Sequence, residues 1–373
     1  MKSIPYAKHL FDADEIQAVN DVLADGWIAR GPKIKEFEEK FCSTLAYSYA
    51  VSCTNGSAAI EIALRAAAIS HGDEVIVPTL TWASTATSVS MVGATPIFAD
   101  IDEDTYCISP SSIAKLITSK TKAIIPVHFA GIPANMVEIW RIADLNNLKV
   151  VEDCAHAVGG YYQDGKPIGG SPKSFAATFS FHPAKNITTA EGGIITTCDS
   201  DIYEKLLLLR SGGVRRLATD GIKKAFYSLE MIAGNFHMTD LQAAIGIVQL
   251  SKLSNYCKAR GLQVAKYNDL LSKSEFCLQH NHPNTSSFNL YIVKLPDQIS
   301  RDQVFKILND KKIGAYYHYP LLHQSNLYKT KVSLSNAEHY QDFALTLPLG
   351  PHLILDDISR ICNVLLHSLR NFS

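Results

Sequence analysis

The chain has 373 residues, and its 35 basic and 36 acidic side chains give a formal net charge of −1. Hydrophobic residues make up 47% and charged residues 19%, as in a packed soluble protein of about two or three domains. The charges form no long runs, which excludes bulk electrostatic attraction to nucleic acid or to a membrane surface. No apolar stretch approaches the roughly 20 residues of a membrane span.

Cysteine spacing and the N-terminal segment bear on location. The eight cysteines form no Cys-x-x-Cys pair, and residues 1–6 lack the apolar stretch of a signal peptide. Both features favour a reducing, cytoplasmic location. We also predict no metal site.

Helical and strand-like patterns alternate from the start of the chain. A capping-box pattern predicts a helix over residues 12–24, with Gly26 at its end. A strand-like segment at residues 49–52 then leads into a strongly helix-forming run over residues 57–68.

Short apolar runs bounded by turn residues continue this alternation. They lie at residues 75–77, 95–98, 123–127, 149–151, 177–181 and 193–197. Their hydrophobicity is continuous rather than alternating, which is typical of strands covered on both faces. With helical patterns between several of them, they predict a mainly parallel sheet and an α/β class.

The last third of the chain predicts a smaller α+β unit. Helical patterns over residues 238–250 and 253–271 lead into it. Its predicted elements are a strand over 288–295, a helix over 302–312, a strand over 315–319 and a helix over 356–369, and residues 211–224 and 279–287 look like loops. We therefore predict a large domain over residues 1–250 and a small domain over residues 251–373.

One lysine is flanked by two segments that look buried. Lys185 lies in the run Ser-Phe-His-Pro-Ala-Lys-Asn-Ile-Thr-Thr-Ala-Glu-Gly-Gly (180–193), and Asp153 ends an earlier apolar segment. A Schiff base to pyridoxal phosphate (PLP) requires an amine, a phosphate ligand such as Ser180, and an acid for the pyridinium. Taken alone, Lys185 also fits a solvated loop lysine, and Asp153 fits a helix N-cap for residues from Ala155 onward.

The 180–193 run resembles the lysine motif of the DegT/DnrJ/EryC1/StrS sugar aminotransferases. The resemblance extends over nearly the whole chain, through residues 26–32, 55–59, 152–157, 234–244 and 318–319. It implies the aspartate aminotransferase fold, PLP-dependent transferase fold type I, with a mainly parallel seven-stranded sheet in a large domain and a smaller α+β C-terminal domain. It also implies PLP as the cofactor, with pyridoxamine phosphate as an intermediate.

The resemblance assigns roles to individual side chains. It implies Lys185 as the catalytic residue that holds PLP and moves the proton. The cofactor-binding residues that it implies are Gly56, Ser57, Ala58, Trp82, Asp153, His156, Ser180, Lys185 and Asn235. Asp153 would pair with the pyridinium, Trp82 would stack on the ring, and His156 would bind the phenolic oxygen. Asn235 would reach the phosphate from the neighbouring subunit, which implies a homodimer with shared active sites.

The phosphate requires several donors at once. A turn at Gly56 followed by a helix would leave the backbone amides of Ser57 and Ala58 free to bind the dianion. Other interpretations exist, since Ser57 also fits an ordinary N-cap, and Trp82 and His156 also fit a packed core.

Residues toward the substrate are less marked. Arg30, His318 and Tyr319 are the candidates to contact the hexose and the diphosphate, and a solvated residue is the alternative interpretation for each of them. The family commonly has Tyr-Arg after the asparagine, where this chain has Phe236-His237. It also has Gly212 where a histidine is common. Both changes fall in regions expected to face the substrate.

A rival interpretation is a nucleotide-hydrolysing phosphate loop at residues 160–167. Pro167 excludes it, because that motif requires Ser or Thr for magnesium and a following helix. The resemblance implies instead transfer of an amino group from L-glutamate to the 4-keto carbon of a nucleotide-linked sugar, most similar to enzymes that aminate a UDP-linked 4-keto-6-deoxy-N-acetylhexosamine in pseudaminic acid biosynthesis. GDP-perosamine-type and bacillosamine-type 4-aminotransferases, and a non-catalytic PLP-binding regulator, are the alternatives.

Overall fold

The computed structural model of the protein describes residues 2–216, 227–278 and 285–370. Its strands are β1 (Tyr49–Cys53), β2 (Glu74–Pro78), β3 (Thr95–Ala99), β4 (Thr121–Ile124), β5 (Lys149–Asp153), β6 (Ala176–Ser180), β7 (Gly193–Thr197), β8 (Val214–Arg216), β9 (Tyr227–Leu229), β10 (Cys277–Leu278), β11 (Tyr291–Lys294) and β12 (Ala344–Leu347). Its α-helices are α1 (Ala13–Asp25), α2 (Pro32–Leu45), α3 (Gly56–Ala66), α4 (Ser84–Met91), α5 (Pro110–Leu116), α6 (Met136–Leu145), α7 (Ser200–Arg210), α8 (Asp240–Leu271), α9 (Arg301–Asp310), α10 (Ser335–Phe343) and α11 (Leu355–Arg370). Short 3-10 turns lie at Phe129–Gly131 and Leu322–Gln324.

A seven-stranded sheet forms the centre of the large unit, in the order β1-β7-β6-β5-β4-β2-β3. Its pairs are parallel from β3 to β6, and β7 runs antiparallel to both of its neighbours. Continuous apolar strands such as Val75, Ile76 and Val77 are fully buried, because helices cover both faces of the sheet. The predicted α/β class and mainly parallel sheet are confirmed.

Local capping signals set the first helices where the sequence predicts them. Asp12 caps α1 and accepts the backbone N–H of Asp14, while Glu15 accepts the N–H of Asp12 at 2.9 Å. The helix ends at Gly26, which adopts a left-handed φ of 77°. Asn55 caps α3 and fixes the direction of its N-terminus.

The smaller unit contains the antiparallel sheet β10-β11-β12 and helices α9 and α11. These helices match the predictions over residues 302–312 and 356–369. The predicted strand over residues 315–319 is wrong, because only Tyr316 bridges to Thr346 before the chain leaves the sheet. The departing segment carries His318 and Tyr319 into a cavity.

The two helical patterns over residues 238–250 and 253–271 are continuous in the structure and form one helix, α8 (Asp240–Leu271). No proline interrupts the pattern, and α8 serves two hydrophobic cores. Leu253 packs in the core around the large sheet, and Tyr267 packs in the core of the smaller unit. The division at residue 250 stays a prediction, and a helix crosses it.

The two predicted loops are described only in part. In the predicted loop at 211–224, residues 214–216 form β8, and residues 217–224 lie outside the described part. Residues 279–284 of the second predicted loop also lie outside it. Within the described ranges, no helix combines the length and the apolarity that a bilayer crossing requires.

Candidate active site

A cavity of about 700 Å³ opens at the carboxyl edge of the parallel strands. Asp153 at the end of β5, Ser180 at the end of β6 and the N-terminus of α3 contribute to its wall. Lys185 also lines it. Open α/β sheets bind ligands at this edge, because the loops that leave the strands converge there.

Lys185 lies in the loop between β6 and β7, and its backbone N–H donates to the carbonyl of His182 at 2.9 Å. The next residue, Asn186, is buried and donates to the carbonyls of Val158 at 3.3 Å and Ser287 at 2.8 Å. These bonds anchor the loop on the side away from the cavity. The lysine is therefore a wall residue of a cavity and not a solvated loop residue.

Asp153 is held by its backbone and by its side chain. Its N–H donates to Pro126 O at 2.8 Å, and its carbonyl accepts the N–H of His128 at 3.1 Å. Its Oδ1 accepts the N–H of Ala155 at 3.1 Å, and its Oδ2 accepts the hydroxyl of Thr85 at 2.8 Å. The segment from Ala155 is a turn, so the alternative interpretation as a helix N-cap is wrong.

Lys185 and Asp153 form the charged pair of the cavity. Burial lowers the pKa of Lys185 from 10.5 to about 8, and the Asp153 carboxylate acts in the opposite direction. Burial, assisted by the Lys185 charge, also lowers the pKa of His156 well below 6.5 and that of His318 to about 3. Both imidazoles are therefore neutral at pH 7.

The N-terminus of α3 and Ser180 form a cradle for an anion. Gly56 and Ser57 begin the helix, so their N–H groups precede its intrahelical hydrogen bonds. The prediction that the backbone N–H of Ala58 is free to bind the phosphate is wrong, because the Asn55 side chain accepts this N–H at 2.8 Å. A Cβ at Gly56 would lie 2.8 Å from the Cβ of Ser180, so only glycine permits this close approach.

The side chain of Ser57 is not the helix cap that the alternative interpretation gave it. Its Oγ lies 2.6 Å from the Oγ of Ser84, at the start of α4. The cap is Asn55, one residue before the helix. Ser57 therefore offers its backbone N–H to the cradle and directs its hydroxyl to Ser84.

His156, Tyr319 and Trp82 form one wall of the cavity. The Nδ1 of His156 accepts the N–H of Ala130 at 3.3 Å, so its Nε2 carries the proton of the neutral ring. This Nε2 lies 3.1 Å from the hydroxyl oxygen of Tyr319. Trp82 meets Tyr319 edge to face at 5.8 Å and is 60% exposed, so it is not part of the core.

The structure separates the other predicted residues into two groups. His318 lines the cavity, with its Nδ1 3.0 Å from the hydroxyl of Thr346. Arg30 and Asn235 do not line it: they are exposed, and the guanidinium of Arg30 donates to the Asn235 side chain at 3.1 Å.

Further residues that no sequence pattern predicted also line the cavity. Tyr6 and His9 reach the cavity from the N-terminal segment, and Tyr316 lies beside them. The Tyr6 hydroxyl lies 3.4 Å from His318 Nε2. No periodic pattern marks this segment, because the bridge from Ile4 to Ile313 that carries it across the protein is tertiary.

A buried cluster of His128, Glu152 and Cys154 has the ligand types of a metal site. However, His128 Nδ1 accepts the N–H of Ala134 at 3.1 Å, so its Nε2 carries a proton. That Nε2 lies 2.8 Å from Glu152, which it serves as a donor. The nitrogen thus has no lone pair for a cation, and we infer a hydrogen-bond network.

The residues present fit PLP. A half-buried lysine of lowered pKa can bind its aldehyde, a buried carboxylate can meet its ring nitrogen, and the glycine-restricted cradle at Gly56 and Ser180 can hold its phosphate. With the seven-stranded sheet, they define a PLP-dependent aminotransferase of fold type I.

Comparison with known proteins gives the family. The model of the DegT/DnrJ/EryC1/StrS aminotransferase family matches residues 10–366, and the chain belongs to this family. The family resemblance, the fold type and the PLP cofactor that the sequence predicted are confirmed.

Solved structures of similar proteins cover almost the entire chain. Helicobacter pylori PseC, an aminotransferase involved in the biosynthesis of pseudaminic acid, is 28% identical with a TM-score of 0.92, covering 99% of this chain and 100% of its own. Spr1654 from Streptococcus pneumoniae in its PLP form is 29% identical, with a TM-score of 0.91 and full coverage of both chains. S. venezuelae DesV is 30% identical with a TM-score of 0.89, covering 99% of each chain.

Proposed function

We propose that this sugar aminotransferase transfers the amino group of L-glutamate to the 4-keto carbon of a UDP-linked 4-keto-6-deoxy-N-acetylhexosamine in pseudaminic acid biosynthesis. The observation that carries the transamination is the pair Lys185 and Asp153, which line one cavity and interact electrostatically. The pathway is supported by the similarity to PseC at 28% identity.

The proposed chemistry divides between cofactor and protein. PLP supplies an electron sink for the charge that develops on the substrate carbon. Lys185 would hold the cofactor until the amino donor binds, and its amine would then move a proton at the substrate carbon. Its lowered pKa supports both roles, because only the neutral amine can attack or accept a proton. Asp153 would pair with the protonated ring nitrogen.

The remaining cofactor contacts follow from the cradle and the aromatic wall. We assign the phosphate to the N–H groups of Gly56 and Ser57 and to the hydroxyl of Ser180. His156 lines the cavity and its Nε2–H lies 3.1 Å from the Tyr319 hydroxyl, so this N–H would exchange Tyr319 for the phenolic oxygen of the cofactor when PLP binds. Trp82 lines the cavity and is 60% exposed, so it would cover the ring on the solvent side.

The sugar nucleotide would enter past His318 and Tyr319. Both residues line the cavity, and the neutral imidazole and the phenol offer uncharged hydrogen bonds to hydroxyl groups. Arg30 would add a cation for the diphosphate. Because Arg30 lies outside the cavity of its own chain, this role requires the site of a neighbouring subunit.

We propose a homodimer in which Asn235 and Arg30 complete the partner's site. Both side chains are exposed and bonded to each other, outside the cavity of their own chain. Lys185→Ala and Asn235→Asp subunits, each weak alone, should regain about a quarter of wild-type activity after mixing and reassembly, because half of the dimers then hold one intact site. If each site belongs to one chain, mixing restores nothing.

The substrate is tested with purified enzyme, glutamate and a panel of UDP-, GDP- and dTDP-linked keto sugars, read by mass spectrometry. The proposal predicts amination of the UDP-linked 4-keto-6-deoxy-N-acetylhexosamine in preference to the others. Preference for a GDP-linked sugar would favour the perosamine type. No amination of any sugar would favour the non-catalytic regulator.

The location proposed is the cytoplasm. All eight cysteines are free, several of them buried, which is expected in a reducing compartment. The test is to alkylate the free thiols as the cells are lysed, purify the protein and count the thiols that appear only after reduction. A disulfide found in this way would contradict the location.

A further inference from the structure

Two buried threonines lead to the carboxylate of Asp153. The hydroxyl of Thr85 lies 2.8 Å from Asp153 Oδ2, and the hydroxyl of Thr81 lies 2.8 Å from that of Thr85. Thr85 is fully buried, Thr81 is 2% exposed and Asp153 is 5% exposed. Thr81, Thr85 and Asp153 together are called the threonine chain below.

The direction of these hydrogen bonds is fixed by chemistry. An ionised carboxylate only accepts, so Thr85 donates its single hydroxyl proton to Asp153. Its oxygen must then accept from Thr81, which donates in turn. Each bond polarises the next in a water-poor environment, so Thr81 strengthens the bond that Thr85 makes to the carboxylate.

Local structure holds Thr85 in this orientation. It lies in the first turn of α4, and its backbone N–H donates to the carbonyl of Trp82 at 3.1 Å. Oδ1 of Asp153 is already bonded to the N–H of Ala155. With Thr85 on Oδ2, both oxygens have a protein donor, and Oδ2 keeps a second acceptor position for a ligand.

We propose that the threonine chain keeps Asp153 anionic and thereby keeps the shared proton on the ring nitrogen of PLP instead of on the carboxylate. Thr85 and Thr81 are positioning residues, since they act through Asp153. The inference rests on the proposed pairing of Asp153 with the cofactor, and it holds for any sugar substrate. A hydrogen bond to an anion stabilises the charged partner over its protonated form, which sets the direction of the effect.

The other titratable groups around Asp153 are Lys185, Cys154, His156, Tyr319 and Glu152. Burial raises the pKa of the thiol and of the phenol and lowers that of the imidazole, so these three are neutral at pH 7. Glu152 is engaged by His128 and Tyr162 on the opposite side of the strand. Lys185 is the same in all the threonine variants below, so it cannot account for a difference in the nitrogen resonance between them.

The test uses the whole protein loaded with PLP that carries ¹⁵N in its ring, with the nitrogen resonance followed against pH. In Thr85→Val we expect the resonance at neutral pH to move toward the unprotonated value, with a shift in proton partition of about tenfold. Thr85→Ser keeps the hydroxyl and should restore the wild-type resonance. The rate of amino-group removal from the donor should fall about tenfold in Thr85→Val, with KM unchanged.

Thr81 distinguishes a chain from a single contact. Thr81→Val should move the resonance in the same direction by a smaller amount, and it should add nothing in the Thr85→Val background. Thr196→Val is the matched control, because it removes a buried hydroxyl that donates to the carbonyl of Gly169 and lies outside the cavity. It should leave the resonance unchanged.

A wild-type resonance in Thr85→Val, or an equal movement in Thr196→Val, would overturn the inference. Asp153→Asn separates this failure from that of the underlying pairing: if it too leaves the resonance unchanged, Asp153 does not contact the ring nitrogen. If near-ultraviolet circular dichroism finds Thr85→Val misfolded, Thr81→Val decides, and a wild-type resonance there overturns the inference.

Discussion

The lowered pKa of Lys185 predicts how the apo-protein takes up its cofactor. The amine attacks the aldehyde only when neutral, and with a pKa of about 8 about one-tenth of the molecules are neutral at pH 7. At the ordinary pKa of 10.5 the neutral fraction would be smaller by a factor of roughly 300. We therefore expect the loading rate to rise about tenfold per pH unit below 8 and to level off above it.

The assay is stopped-flow mixing of apo-protein with PLP between pH 6 and 10, followed by the visible absorbance of the bound cofactor. The same measurement with N-acetyl-lysine removes the titration of PLP itself. Asp153 raises the pKa of Lys185 by its charge, so Asp153→Asn should move the midpoint below 8. A midpoint near 10.5, or an upward shift in Asp153→Asn, would refute the proposed balance of burial and charge.

Three further predictions follow from single contacts. Lys185→Ala should abolish the visible absorbance of the lysine-bound cofactor and turnover with it, whereas an unchanged spectrum would mean that another lysine binds PLP. Gly56→Ala brings a Cβ within 2.8 Å of Ser180 and should weaken PLP binding about tenfold or more in a fluorescence titration; unchanged affinity would contradict the cradle. His128→Ala removes one of the two donors to the buried carboxylate of Glu152, the other being the Tyr162 hydroxyl, and should lower the free energy of unfolding in urea by about 1.5–3 kcal/mol; a loss below about 0.5 kcal/mol would contradict the network.

Lys185 and Asp153 could be predicted because each lies in a short motif that resembles those of a known family. An apolar segment followed by an acid places that acid at the carboxyl end of a strand, and all such ends of parallel strands meet at one edge of the sheet. The capping box of α1 and the covered strands were equally readable, since each depends on residues within a few positions of one another. These local features are present in the folded protein because the tertiary contacts are compatible with them.

Ala58 shows how a local signal can mislead. Each of the first three residues of a helix has a backbone N–H without an intrahelical partner, and the sequence does not say which of these N–H groups a capping side chain will accept. Asn55 takes the N–H of Ala58, which leaves the first two positions for an anion. The single helix α8 likewise crosses a division that hydrophobic patterning had indicated near residue 250.

The sequence by itself determined the fold class and placed Lys185 and Asp153 beside buried strands, because strand ends, caps and short apolar segments are properties of neighbouring residues. The cofactor came from the resemblance of its motifs to a known family. Only the tertiary structure decided that Thr85 bonds to Asp153, that Tyr6 reaches His318 from the opposite end of the chain, and that Arg30 meets Asn235. These partners lie from 68 to 312 residues apart, and no periodicity in the sequence encodes a contact over such a separation.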